Sequence, residues 1–461
     1  MECRPMLCCL LALLPLLYWL KSQLASRNSH HGNNLWLPPA PWQLPIIGSL
    51  HHLRGALPHR ALRDLAHRHG LLMLLKFGEV PVMVASSREA AKEILKTHDA
   101  LLVTRPKTTT FKILSKHGLG IALAPYGDHW RQLCKICNMA LLRAHHVWSF
   151  RAIREEEVAR LVESIMSASA APLGNLSKMI AGYVADAAFR AIMGNRLKAR
   201  DQDALIYQLA EGVRLEAGFS LADLYPSSRL ARLLSRASRK MEIHREAMLE
   251  LMDIVDLFAG SNDTSATTLE WAMAELMRNP TVMSKLQDEL RGAFAAMMKV
   301  SEGGLHELSY LHMVIKETLR LHLPAPLLLP RESQEQCQIL GYDVPKGTMV
   351  MVNAGALSTD PEYWDEPQAF RPERFADSEI DFKGNEFEFI PFGAGRRICP
   401  GMFFGLANVE LALANLAFYF DWSLPEGLSC SELDMTETAG VTVRKTTDLW
   451  VRATPSSLLP R

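Results

Sequence analysis

Phe392-Gly393-Ala394-Gly395-Arg396-Arg397-Ile398-Cys399-Pro400-Gly401 is the stretch on which the reading of this chain turns. One cysteine stands in a loop opened by Gly393 and Gly395 and closed by a Pro-Gly pair, and an apolar helical run follows over 402–420. Glycines let the backbone pass close to a bulky, flat group, and the neighbouring arginines suit an anionic rim. A thiolate at the mouth of a helix N-terminus gains from the helix dipole and from nearby N–H groups. Those are the requirements of a thiolate ligand to haem iron, which pushes electron density onto the metal and favours O–O cleavage. The plainer alternative is a structural cysteine buried in a turn.

The pattern F-x-x-G-x-R-x-C-x-G is met in full by Phe392, Gly395, Arg397, Cys399 and Gly401, and it resembles the haem-binding loop of the cytochrome P-450 monooxygenases. The resemblance implies a mainly α fold with a small β region. It implies haem b as cofactor, Cys399 as its axial ligand, and Phe392, Gly393 and Arg397 beside it.

The 461 residues carry no net formal charge, so nothing points to nucleic acid. Eight cysteines are scattered without framework spacing, three of them (Cys3, Cys8 and Cys9) in or just before the N-terminal apolar run, which is no disulfide scaffold. That run, residues 6–20, is broken only by Pro15; as a helix it spans ~22 Å against a ~30 Å hydrocarbon core. It reads as a thin single-pass anchor or as the core of a cleaved signal peptide. Glu2 and Arg4 cancel before it, whereas Lys21 and Arg27 follow it, which favours an uncleaved anchor with the rest of the chain in the cytosol. Residues 22–48 are a polar linker and a proline-rich segment, Leu37-Pro38-Pro39-Ala40-Pro41, held extended by its prolines. It resembles the proline hinge of microsomal monooxygenases. The organisation expected is therefore an anchor at 1–21, a hinge at 22–48 and a single catalytic domain at 49–461.

Within that domain, periodicity predicts a strand pair over 72–84 broken near Gly78-Glu79, and a helix over 88–96. Helices are expected at 127–139, 146–169, 176–194, 201–217, 229–252, 253–278, 280–298 and 309–322. A second β patch is expected at 338–342 and 348–352, and a proline-rich loop region at 356–398.

Glu317 and Arg320 lie three apart on one helix face, a spacing that lets them pair but is weak evidence alone. The resemblance implies that they lock with Arg374 of Pro372-Glu373-Arg374-Phe375 and brace the core behind the haem. In Phe258-Ala259-Gly260-Ser261-Asn262-Asp263-Thr264-Ser265, the helix-weakening Gly and Thr, with an Asp that prefers caps, interrupt an apolar helix. The residues allow a helix start capped at Asp263 or Thr264. The family's oxygen-binding motif is similar, and it implies that Asp263 and Thr264 deliver protons. Ser261 replaces the usual second glycine. For the haem propionates the resemblance implies Trp130, Arg331 and Arg397, with Arg105 a further candidate.

The chain departs from the family twice. Cys134 stands where W-x-x-x-R has its arginine, a loss of ~1.5–3 kcal/mol of haem affinity for a charge-assisted contact. The Cys134-Lys135-Ile136-Cys137 pair so created lacks a second pair at zinc spacing and reads as incidental, and the pairs His51-His52 and His145-His146 read as surface. The basic run over 229–252 also passes directly into Asp253-Ile254-Val255-Asp256, where relatives carry some forty further residues before the middle of the oxygen helix.

Phrases such as Glu317-Thr318-Leu319-Arg320-Leu321-His322 and Leu221-Ala222-Asp223-Leu224-Tyr225-Pro226 are similar to plant microsomal members that oxidise terpenoids and other specialised metabolites. The resemblance implies an endoplasmic-reticulum enzyme that inserts one atom of O2 into an apolar small molecule, with electrons from NADPH through a cytochrome reductase. Pocket walls are expected at 114–124, 258–259, 325–329 and 441–442. Two rivals stand beside this reading. One is a haem-binding relative impaired by Cys134 and the missing block; the other is a secreted or membrane-anchored interaction protein with a structural Cys399.

Overall fold

A computed structural model describes residues 35–457, apart from 115–119, 169–172, 197–206, 208–210, 212–219, 236–239, 243, 245–254 and 439. The apolar run at 6–20, the helix expected at 201–217 except Tyr207 and Glu211, and the junction near residue 252 lie outside the described residues.

The β-branched run of Val80, Val82 and Val84 pairs antiparallel with the strand before it, giving β1 (Leu72–Phe77) and β2 (Val80–Ala85). Gly78 turns between them at φ +61°, and any Cβ there would sit 2.5 Å from the Leu224 carbonyl oxygen. Two further strands complete a four-stranded sheet: β3 (Arg331–Glu332) and β4 (Met349–Val352), in the order β1-β2-β4-β3. The β2–β4 pair is parallel and the β4–β3 pair antiparallel. The patch expected at 338–342 is instead a hairpin of Cys337–Ile339 and Tyr342–Val344, because Leu340-Gly341 turn at positive φ.

Helices form most of the rest, beside two smaller sheets. Those of ten or more described residues from Asp128 onward are α1 (Asp128–Cys137), α2 (Arg151–Ala168), α3 (Leu176–Met193), α4 (Val255–Arg278), α5 (Pro280–Phe294), α6 (Ser309–Leu321) and α7 (Met402–Tyr419). The expected helix at 146–169 is cut before Arg151, where a short helix Ala144–Ser149 ends at Phe150. Asn175 caps α3, accepting from the Lys178 N–H at 2.9 Å, and Gly194 ends it at φ +78°. Pro280 opens α5, where its missing N–H costs nothing. α4 is ~36 Å long by its 24 residues and crosses the body. Every residue of α7 from Leu411 to Phe418 is buried, which explains a helix apolar all round. α7 is also, among the described residues, the helix long and apolar enough to cross a membrane, yet it lies mostly inside the core.

Between α2 and α7 the core encloses charge. Arg154 is buried and donates to Glu302 from Nε (2.9 Å) and Nη2 (2.5 Å). Glu410 of α7 lies beside this pair, and desolvation followed by repulsion from Glu302 raises its pKa to about 7. A carboxyl raised in the folded state stabilises the fold below its unfolded pKa and loses that contribution as pH rises through 7. Glu410→Gln is therefore expected to melt like the parent at acid pH. Above neutrality it should gain roughly 2–3 kcal/mol over the parent, read from thermal unfolding across the pH range.

Candidate active site

The Cys399 loop is shaped by glycines. Gly395 takes φ +71°, and a Cβ there would overlap the Leu95 carbonyl oxygen. The Cys399 N–H donates to the Phe392 carbonyl at 2.9 Å, closing the loop, and Gly393 lies against Leu328. Cys399 is open to solvent, yet enough protein rings its sulfur that desolvation raises the thiol pKa. Together these facts describe a recess. The Gly401 N–H donates to the sulfur and works the other way, at the start of α7, where the helix dipole also favours a thiolate.

Three guanidiniums gather beside this loop. Arg397 stacks on Trp130 with its carbon 4.2 Å from the ring centroid, and donates to the carbonyls of Val103 (3.0 Å) and Ala124 (2.6 Å). Its Nη1 is buried without a partner among the described residues. Arg331 is buried on Asp99 Oδ1 at 2.5 Å and on the Ala394 carbonyl at 3.0 Å. Arg105 is buried and donates to the carbonyls of Ala122, Leu329 and Pro330. Desolvation, then mutual repulsion, depresses Arg105 well below its ordinary pKa and Arg397 to about 10. The carboxylate among them, Asp99, is already shared by Arg331 and Arg396. The cluster thus carries unbalanced positive charge and an orphaned donor beside a recessed thiol, which fits a flat dicarboxylate such as haem. Asp99 carried no signal in the sequence.

Cys134 lies close enough to Arg397 to feel its charge, but burial dominates and raises the thiol to about 11, so it is neutral. The Trp130 indole N–H donates to the Ile121 carbonyl at 2.9 Å. The pair His51-His52 is half-buried rather than surface: His51 packs on Trp42 and reaches the Gly48 carbonyl at 3.0 Å.

Across from the loop runs α4. Its middle meets the start of α7, where a Cβ at Gly405 would stand 3.4 Å from the Ser265 hydroxyl. The Thr264 hydroxyl donates to the Gly260 carbonyl at 2.8 Å, and the Thr268 hydroxyl donates to the Thr264 carbonyl at 2.9 Å. Such back-bonding bends helices slightly. Among the described residues no atom lies within 4 Å of a Cβ built at Gly260, so Gly260 and Thr264, one turn apart, border open space. Asp263 lies within α4 rather than capping a helix start; it is buried and ion-paired with Arg444, a partner the sequence reading missed.

Behind the site, Glu317 and Arg320 are fully buried on α6. Arg320 donates to both carboxylate oxygens of Glu317 (2.7 and 2.8 Å), and Arg374 donates to Glu317 Oε1 at 3.0 Å.

A cavity of about 470 Å³ adjoins the site. Its walls are the faces of β1, β2 and β4, residues 106–112 and 326–330, Ala222 to Leu224, and Gly440, Val441 and Val443. Leu327 to Leu329 and Val441 were expected there. Phe258 instead packs edge-on to Phe189 in a separate cluster, and Thr442 turns toward Asp263; residues 115–119 lie outside the described part.

The sequence profile of the family described as Cytochrome P-450 matches residues 38–255 and 251–450, so the chain belongs to the cytochrome P-450 family, the haem-thiolate monooxygenases. It is 44% identical to desmethyl-deoxy-podophyllotoxin synthase of Sinopodophyllum hexandrum over 95% of either chain. It is 43% identical to 5-epiaristolochene 1,3-dihydroxylase of Nicotiana tabacum, over 91% of this chain and 93% of that one. It is 42% identical to premnaspirodiene oxygenase of Hyoscyamus muticus, with the same coverage. The two matched pieces meet at 251–255, where the sequence places its missing block. The first alignment runs over 490 positions although the chain has 461 residues, so it opens gaps against this chain.

Proposed function

We propose that this chain is a membrane-anchored monooxygenase that inserts one oxygen atom of O2 into an apolar specialised metabolite of the terpenoid class, with electrons passed from NADPH by a cytochrome reductase. The observation that carries it is the unbalanced cluster of Arg105, Arg331 and Arg397 beside the recessed Cys399. Haem, when bound, supplies the activation of oxygen. Cys399 would ligate its iron, the three arginines would hold its carboxylates with Trp130 stacked on Arg397, and Phe392 and Gly393 would flank it. Thr264 at the open groove on α4, with the buried Asp263 preceding it, holds and moves protons. Glu317, Arg320 and Arg374 brace the scaffold. The apolar cavity and the terpene oxidations in two relatives' names support the substrate class. The anchor at 1–21 places the enzyme in the endoplasmic reticulum with its catalytic domain, 49–461, facing the cytosol. Trp36, Trp42, Ile46 and Ile47, exposed on the hinge, suit the membrane interface.

A second reading, a haem-binding relative with impaired turnover, is favoured by Cys134 and by the split at 251–255. The ferrous carbon monoxide difference spectrum, followed by turnover of 5-epiaristolochene and premnaspirodiene with reductase and NADPH, separates the two. A thiolate-type Soret band with product supports the monooxygenase. The same band with no NADPH consumption supports the impaired relative, and absence of bound haem refutes both.

Cys134→Arg supplies a further donor beside Arg397 and Trp130. It is expected to slow haem loss about tenfold, the equivalent of ~1.5 kcal/mol. Haem transfer to apomyoglobin measures this, and an unchanged rate would clear Cys134 of any part in retention.

A further inference from the structure

Asp263 is held in an unusual way. One carboxylate oxygen, Oδ1, is on the Arg444 guanidinium, the Thr442 hydroxyl also bonds the carboxylate, and Oδ2 is buried with no partner among the described residues. Arg444 and Thr442 come from a turn some 180 residues further along the chain. That turn is itself fixed: the Val443 N–H donates to the Pro324 carbonyl at 2.8 Å, and the Trp271 indole N–H donates to the Val443 carbonyl at 3.3 Å. Arg444 is thus anchored to α4 two turns beyond Asp263 and cannot drift from it without moving Trp271.

A carboxyl buried this deeply is driven towards its neutral form, and burial does raise the Asp263 pKa; Arg444, the charged group facing it, opposes the rise. The next charges along these elements are committed elsewhere. Glu270 bonds the Ser177 hydroxyl, and Lys445 donates to Thr447.

On the monooxygenase reading above, we infer that Arg444, assisted by Thr442, is the positioning residue of Asp263: it ion-pairs with Oδ1 and fixes the rotamer, leaving Oδ2 as the oxygen that takes up and passes protons. Arg444 does not touch the reacting atoms. Its effect is exerted entirely through Asp263.

The test uses the haem-loaded full chain with reductase, NADPH and O2, following NADPH oxidation across the pH range. Arg444→Leu leaves the burial of Asp263 unopposed, so the acid limb of the profile is expected to move up by about one pH unit or more. Arg444→Lys should restore most of that shift, and Asp263→Asn should abolish the limb. A readout independent of turnover is the infrared carboxyl stretch missing from Asp263→Asn. It should report a larger neutral-acid fraction in Arg444→Leu than in the parent at the same pH. The carbon monoxide spectrum checks that Cys399 is undisturbed. If Arg444→Leu loses haem, Arg444→Gln, which keeps a hydrogen bond without the charge, is read in the same way. An unmoved limb with an unchanged carboxyl stretch overturns the inference alone. A parent that consumes no NADPH overturns the monooxygenase reading and the inference with it.

Discussion

Cys399→Ser is expected to remove the thiolate Soret signature and to lower turnover at least a thousandfold, about 4 kcal/mol of barrier, while leaving the fold nearly untouched. The asymmetry follows from the local structure. The side chain of Cys399 opens on a recess and contributes little to the core, so the loss of sulfur packing costs little. Its loop is held by the backbone instead, through the Cys399 N–H on the Phe392 carbonyl and the constrained Gly395. The Gly401 N–H and the N-terminus of α7 stabilise a thiolate, which a serine hydroxyl cannot mimic near neutral pH. Cys337→Ser is the informative contrast. Cys337 is buried in the sheet-side core, so serine there should lower thermal stability by about 1–2 kcal/mol and leave the spectrum intact. A Cys399→Ser protein with an unchanged carbon monoxide spectrum would remove Cys399 from the iron.

Much of this arrangement could be read from the sequence because its signals are local. The glycine-spaced loop before α7, the i,i+3 pair Glu317 and Arg320, and the polar interruption in α4 are each contained in ten residues or fewer. Asp99 and Arg444 were not readable, since each acts through a partner more than 170 residues away and no periodicity marks either one. The β stretch expected at 338–342 runs across the turn of a hairpin, because Leu340 adopts a positive φ that β-branched and aromatic neighbours conceal. The break at Phe150 escaped because helical patterning continues unchanged on both sides of it. The misjudged cavity wall has a different origin. Phe258 and Val441 look alike as apolar residues, and only packing decides that the first fills a core cluster while the second faces the cavity.

Glu317→Gln is expected to cost about 3–5 kcal/mol, out of the ~5–15 kcal/mol that holds a typical domain together, and to yield mostly haem-free, aggregation-prone protein. Glu317 has no solvent exposure and answers three donors at once: Arg320, Arg374 and the Arg371 N–H at 2.8 Å. Glutamine keeps the shape but turns one acceptor oxygen into a donor, pointed at a guanidinium that is itself fully buried. Arg320 cannot escape, because its remaining N–H groups are spent on the carbonyls of Ser358, Pro367 and Ala369, and its plane lies 5.3 Å over Trp364. Those carbonyls belong to the chain that leads to the Cys399 loop, so a displaced Arg320 would loosen the wall on which the cofactor loop is built. Arg320→Lys should fare little better, since one ammonium cannot reproduce the fork that meets both Glu317 oxygens and three carbonyls. Arg374→Ala should be milder, about 1–3 kcal/mol, because Glu317 would keep Arg320. Denaturant unfolding of the haem-loaded variants, with haem content per chain, gives the order: parent, Arg374→Ala, then Glu317→Gln with Arg320→Lys. If Glu317→Gln unfolds alongside Arg374→Ala and keeps its haem, the triad is a packed polar cluster of ordinary strength, and the bracing of the Cys399 loop must lie in the backbone bonds around Gly395.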